Sequence, residues 1–376
     1  MSKNILIICH GFYPEQNPRA FRATELSKEF RRRNMSVTVM SPDKGDINNF
    51  LNEWKILHFS LGKLKWRIYN FQGNNLIFHL YNRAVNRFLP KLLEYPSMEL
   101  FFKVREAIKR TNEKYDAIIT IAVPYTIHWA VASVWNKNSA KNIAPIWIAD
   151  CGDPYFIQQN DQISTPFYFK WVEKWFMRKV NYITVPTNLA HQGYFPEFHN
   201  KMRVIPQGFK FEDVQLKENA EDGVIRFAYA GCFTAWRRDP SGILDYLTSL
   251  DPKFKFEFHI YSSDFHFVEK YVKKDSRIIF HGFKQRLELL SVLSQFNFML
   301  NLENLGEAQS PSKLIDYGII KKPILSLKSY DLNLELLKEF LSRNYASAFK
   351  INNVDDYRIE NVVNQFAYLF DKNNTN

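Results

Sequence analysis

A chain of 376 residues, 46% hydrophobic and 24% charged, excludes a disordered protein and is long enough for two domains of ordinary size. Its formal charge of +11 suits a phosphorylated substrate, an anionic membrane surface or nucleic acid, and does not choose among them. Three scattered cysteines, Cys9, Cys151 and Cys232, argue against a disulfide framework and for a reducing compartment.

Short apolar runs alternate with helical patterns. In the first half the predicted strands are residues 4–10, 36–42, 117–123, 144–150 and 182–187, with helical stretches at 19–34 and 166–180. The first apolar run is too short for a signal peptide. Residues 117–135, "AIITIAVPYTIHWAVASVW", are long enough to span a bilayer. Pro124 and His128 interrupt them, which predicts a strand, a turn and a helix instead. Residues 50–110 break the rhythm. They interleave Trp54, Trp66, Tyr69, Phe71 and Phe78 with Lys63, Lys65, Arg67, Arg83 and Arg87. The segment is too long for a loop and predicts its own helices. It reads either as a helical insertion with a solvated basic face or as an interfacial patch for anionic lipid. Nucleic acid is not expected, because no nucleic-acid-binding signature accompanies the basic residues.

The polar stretch 206–223 reads as a linker. The rhythm then restarts with predicted strands at 225–231, 256–262, 277–282, 296–302 and 323–327. This is the pattern of two doubly wound parallel α/β domains, which implies a cleft with ligands beyond the carboxyl ends of the strands. The expected division is residues 1–206, residues 207–352, and a helix in 353–376 crossing back to the first domain.

The stretch "GEAQSPSKLIDYGIIKKPIL" (306–325) carries the sharpest local signal. Ser310 and Pro311 fit an N-cap and a first helical position. The free N–H groups and dipole at such a helix start favour an anion, and Lys313 adds a charge. Asp316 lies one turn on, where a carboxylate accepts sugar hydroxyls. An ordinary capped helix fits the same spacing. No cysteine or histidine spacing suggests a metal site.

Five segments in order resemble family-four retaining glycosyltransferases of the GT-B fold, of the bacterial surface-glycan type: "FYPEQNPRAFRATELSKEF", "IWIADCGDPY", "KMRVIPQGFK", "IRFAYAGCFTAWRRDPSGIL" and "SPSKLIDYGIIKKPILSL". The resemblance implies two Rossmann-like domains facing a cleft. It implies transfer of a sugar from a nucleoside diphosphate, UDP by family weight, to a glycan or polyprenyl-linked acceptor of lipopolysaccharide or capsule type. No cofactor or metal is implied. The protein is expected in the cytoplasm at the inner membrane face, with residues 50–110 touching lipid.

Carried onto this chain, the family's ribose-binding acid falls on Asp316, and its diphosphate grip on Arg237 or Arg238, Lys313 and the Ser312 backbone. The first acid of the family's pair would fall on Ala308, so Glu303 or Glu307 is the expected substitute. His128 stands where a cleft histidine is common, and a satisfied core histidine fits equally. Asp150 and Asp153 are candidates to orient or deprotonate the acceptor, with a turn-stabilising role as the plain reading. His10 and Arg19 are expected on the acceptor side. Gln16, Asn17 and Arg19 replace the family's glycine-rich first turn, and Gly152 stands where relatives often carry Arg. Two rival readings are a sugar-nucleotide epimerase of the same fold and a non-catalytic lipid- or nucleic-acid-binding protein.

Overall fold

The structure is a computed structural model. It describes residues 2–15, 17–73, 75–136, 139–152, 154–156, 165–219, 222–235, 238–303, 312–351 and 353–371. The chain divides into two units, Met1–Phe209 with Ile359–Asn376, and Lys210–Arg358.

Unit 1 is built on β1 (Asn4–Cys9), α1 (Pro18–Arg32), β2 (Ser36–Ser41), α2 (Asn48–Trp54), β3 (Leu57–Ser60), α3 (Leu76–Leu93), α4 (Met98–Arg110), β4 (Ala117–Ile121), α5 (Thr126–Val134), β5 (Ile146–Asp150), α6 (Phe169–Lys179), β6 (Tyr182–Val185) and β7 (Met202–Val204). The strands form one parallel sheet in the order β3-β2-β1-β4-β5-β6-β7. Every residue of β4 and β5 is buried, because helices cover both faces of a parallel sheet. The stretch at 117–135 resolves into β4 and α5. No helix among the described residues is long and apolar enough to cross a membrane. At the start of α1, the Asn17 side chain accepts from the N–H groups of Arg19 and Ala20 at 3.1 and 2.9 Å, and Pro18 takes the first helical position.

Unit 2 runs through β8 (Ile225–Ala230), α7 (Ser241–Ser249), β9 (Phe256–Tyr261), α8 (Glu269–Lys274), β10 (Ile278–Phe280), α9 (Arg286–Leu293), β11 (Phe298–Leu302), α10 (Ser312–Ile319), β12 (Ile324–Leu327) and α11 (Leu334–Leu341). Its parallel sheet has the order β10-β9-β8-β11-β12. Phe227 stacks between Phe258 and Phe298 at 4.7 and 4.6 Å, so one aromatic column ties the three central strands together. The last helix, α12 (Ile359–Asp371), belongs to unit 1 and packs on α1. Its buried residues Ile359, Val362, Val363, Phe366 and Phe370 recur at helical spacing and close one face of that unit.

In each sheet the strand order reverses at one point, between β1 and β4 in unit 1 and between β8 and β11 in unit 2. Ligands of open α/β sheets bind beyond the carboxyl ends of the strands at such points. Several of the described candidate residues lie at or near these strand ends.

Candidate functional site

In unit 2, β8 ends at Ala230 and turns at Gly231, whose φ is +150°. A Cβ at residue 231 would sit 1.1 Å from Lys313 Nζ, so only glycine lets this lysine reach the strand end. Helix α10 is fixed against the reversal point by Tyr317. Its hydroxyl accepts from Ala230 N at 3.1 Å and donates to Leu300 O at 3.3 Å, bridging β8 and β11. That anchor brings the first turn of α10, with Lys313, over the end of β8.

Lys313 Nζ lies 5.0 Å from the Tyr229 ring centre. The Nζ is buried and lacks a hydrogen-bond partner among the described residues, as does the buried Nε of Arg238. Burial, reinforced by the positive charge of Arg238, lowers the Lys313 pKa to about 8. The nearby carboxyl groups of Asp316 and Asp264 oppose this shift and are outweighed. Two desolvated, incompletely partnered cations beside a helix start are an arrangement whose free energy an oxyanion would lower.

Asp316, one turn beyond Lys313, is partly buried and is held by Arg286, whose Nε lies 3.0 Å from its Oδ1. Burial raises the Asp316 pKa, and Arg286 and Lys313 act against the rise. Arg286, the first residue of α9, was not singled out in the sequence. Its partner lies 30 residues away, and no local pattern marks the pair. Glu303 follows β11 directly, and its Oε1 accepts from Ser326 Oγ at 2.9 Å. Arg237, Glu307, Asp153, Gln16, Ser310 and Pro311 lie outside the described residues. Ser312 opens α10 through its backbone.

In unit 1 the candidates meet different surroundings. Asp150, at the end of β5, accepts from Arg22 Nε and Nη2 at 3.2 and 2.8 Å and from Thr184 Oγ1 at 2.6 Å. Arg19 Nη1 stands 3.6 Å away. Burial would raise the Asp150 pKa, but Arg22, Arg19 and Thr184 together hold it below the usual carboxylate value. A carboxylate so engaged is a weak base, so here Asp150 orients its arginines. Arg22 also donates to the carbonyls of Pro206 and Ile205, and the Phe366 ring of α12 covers it at 5.2 Å. No local pattern marks Arg22, whose hydrogen-bond partners lie 128 to 184 residues away.

Arg19 lies directly over Gly152. A Cβ at residue 152 would fall 1.4 Å from Arg19 Nη2. The guanidinium from α1 therefore occupies the space that a side chain at 152 would fill.

His128 is fully buried. Its Nδ1 is 2.7 Å from Thr120 Oγ1 and its Nε2 is 3.5 Å from Cys151 Sγ. Trp147 Nε1 donates to the same threonine at 2.8 Å. Burial lowers the His128 pKa to about 3, so the ring is neutral and both its nitrogens are engaged. Of its two readings, this is the setting of a satisfied core histidine. His10 follows β1 near Lys44 and Glu15; burial, then Lys44, lowers its pKa. The structure thus brings Asp150, Arg19 and His128 to one end of one sheet, and Arg238, Lys313 and Asp316 to the equivalent end of the other.

Residues 50–110 fold as α2, β3, α3 and α4. No residue of α3 is buried. Its inner side packs on residues 70–71, through Phe71 on Phe78 at 5.0 Å and Asn82 on the Phe71 backbone. Ile77, Leu80, Phe88 and Leu92 are exposed along its outer side, with Ile77 at 70% and Phe88 at 48%. Arg83, Arg87 and Lys91 recur every four residues beside this stripe. Tyr168, just before α6, donates to Leu92 O. Phe167 and Trp171, neighbours of Tyr168 in the chain, are 70% and 61% exposed.

No protein-family model matches the chain, and no curated protein matches its sequence. Solved structures do match its fold. A glycosyltransferase from Rickettsia africae ESF-5 has a TM-score of 0.61 and 11% identity, over 100% of this chain and 99% of that one. Anabaena Alr3699/HepE in complex with UDP and glucose has a TM-score of 0.61 and 10% identity, over 98% and 99% of the two chains. The UDP-GlcNAc 2-epimerase from Methanocaldococcus jannaschii has a TM-score of 0.55 and 10% identity, over 97% and 99%. The fold is GT-B, with two Rossmann-like parallel-sheet units of seven and five strands.

Proposed function

We propose that this protein is a retaining glycosyltransferase that uses a nucleoside-diphosphate sugar, with UDP as the nucleotide. The observation that carries the reading is the pair of buried, incompletely partnered cations, Lys313 and Arg238, at the strand-order reversal of unit 2. A diphosphate supplies the acceptor oxygens these groups lack. The fold shared with a UDP-bound relative supports the choice of UDP.

In this reading the α10 N-terminus, Lys313, Arg238 and Arg237 bind the diphosphate, and Asp316, oriented by Arg286, accepts the ribose hydroxyls. Glu303 or Glu307 contacts the donor sugar. As the bond from the anomeric carbon to the phosphate oxygen breaks, negative charge grows on the leaving diphosphate. Cations already in place stabilise that charge without reorganisation. They can supply what a divalent ion supplies in other transferases, so turnover without added metal is part of the proposal. On the acceptor side, Arg19, His10 and Asp153 would position the attacking hydroxyl.

The acceptor we propose is a lipid-linked or surface-polysaccharide intermediate at the inner face of the cell membrane. The outer face of α3 supports this, because an exposed apolar stripe beside a row of Arg and Lys suits an anionic bilayer surface. The epimerase of the same fold supports a second reading, acceptor-independent change of the sugar nucleotide by the same donor site.

A thermal-shift screen against UDP, GDP, ADP, CMP and their sugar conjugates, without metal, tests the proposal. A ligand that binds only the native state raises the melting temperature. A shift with a diphosphate nucleotide, followed by sugar transfer to a membrane acceptor, is the expected result. Conversion of the sugar nucleotide with no acceptor present would replace transferase by epimerase. A cooperative melt unmoved by any nucleotide, with tight vesicle binding, would favour a non-catalytic lipid-binding protein.

A further inference from the structure

A cavity of about 220 Å³ opens in unit 1 at the carboxyl ends of β1, β2 and β3, away from the Asp150 network. We infer that this cavity binds a single uncharged sugar ring, through an aromatic platform at Tyr13 and carboxylates at Asp43 and Asp46. Its volume falls below the roughly 300–1,000 Å³ of sites for drug-sized ligands, which leaves room for one ring.

The platform is held in place from below. The Tyr13 ring lies on Phe50 at 4.1 Å with 10° between planes, and Tyr13 is 40% exposed. A flat, exposed aromatic ring with one face anchored offers the other to the C–H face of a sugar. The polar groups are also preset. Ser60 Oγ donates to Asp43 Oδ1 at 2.5 Å, which fixes that carboxylate. Asp46 Oδ1 accepts from Asn48 N at 2.9 Å. Ser41 Oγ and His58 Nε2 lie 2.9 Å apart. Carboxylates accept from hydroxyl groups, and a few placed polar groups against an aromatic wall make a specific pocket.

The charge of the lining decides the ligand class. Lys44 is paired with Glu15. Burial lowers the His58 pKa, so this ring adds no positive charge near neutrality. Asp43 and Asp46 then leave the cavity acidic in a chain of net charge +11. Such a lining repels phosphates and nucleotides and accepts a neutral polyol. It is the electrostatic opposite of the Lys313–Arg238 site.

Assignment of this cavity as an acceptor subsite rests on the proposed transferase function, whereas the sugar binding itself does not. The test uses the full-length protein and saturation-transfer NMR. The probes are the methyl glycosides of glucose, galactose, mannose and N-acetylglucosamine, with glucose 6-phosphate beside them. We expect saturation of the ring protons of at least one neutral glycoside and a weaker signal from the phosphate ester. Tyr13→Ala and Asp46→Asn should each weaken that binding about tenfold and leave any nucleotide thermal shift unchanged. Asp46 is exposed, so its variant carries the test if loss of Tyr13 disturbs the Phe50 packing. Absence of any glycoside signal, preference for the phosphate ester, or full binding in Asp46→Asn and a folded Tyr13→Ala would overturn the inference. A lost nucleotide shift with intact glycoside binding would instead count against the transferase reading alone.

Discussion

Two strand-end sites built on similar parallel sheets treat charge in opposite ways. At the end of β5, Asp150 is enclosed by Arg22, Arg19 and Thr184, and Arg22 caps two backbone carbonyls as well. At the end of β8, Lys313 Nζ and Arg238 Nε are buried without hydrogen-bond partners among the described residues. The first arrangement is complete in itself and builds structure. The second carries an uncompensated desolvation cost, and the proposed function rests on an anion relieving it. A conspicuous charged residue at a strand end is therefore not evidence of chemistry; what matters is whether its partners are already present.

The largest effect should come from breaking the complete network. Arg22→Met leaves Asp150 buried with a weaker partner and should destabilise the protein by about 3–5 kcal/mol, read by chemical denaturation. The opposite sign is expected in unit 2. Lys313→Met removes a buried charge that lacks a hydrogen-bond partner among the described residues, so the unliganded protein should melt higher. UDP affinity should fall by about 1.5–3 kcal/mol, measured by calorimetry. Asp316→Ala should weaken UDP binding by roughly 1 kcal/mol or more and leave binding of inorganic pyrophosphate unchanged, which separates ribose from phosphate contacts.

The smallest effect sharpens the comparison within unit 1. Glu173 on α6 is fully buried, and burial raises its pKa to about 8 against partial compensation by the Tyr155 and Phe156 backbone. Between the ordinary value of 4.5 and about 8 the native state holds a proton that the unfolded chain has released. Stability contributed by this group is therefore full below the lower value and is lost as pH rises through the upper one. Glu173→Gln should stabilise little at about pH 5 and more at about pH 9, in melting curves across that range.

The ten strands read from apolar runs all form, because strands buried on both faces are written as near-continuous hydrophobic stretches. Strands β3 and β7 were missed. Leu57–Ser60 lies at a sheet edge with no residue buried, and Met202–Val204 is only three residues long. Lys313 and Asp316 were legible because a helix start and a one-turn spacing are local features. Arg22, Arg286 and Gly231 were not, since each acts on a residue brought near only by the fold. The engagement of Asp150 by Arg22 was not legible for the same reason: this partner lies 128 residues away in the chain.

The central claim is that the unit 2 cations form a diphosphate site, and calorimetric titration of UDP at several pH values tests it most directly. Unliganded Lys313 has a pKa lowered to about 8, and bound diphosphate should restore its full charge. The account predicts proton uptake on binding near that pH, with affinity falling up to about tenfold per unit above it. Binding of UDP without proton uptake and with equal affinity in Lys313→Met would contradict it.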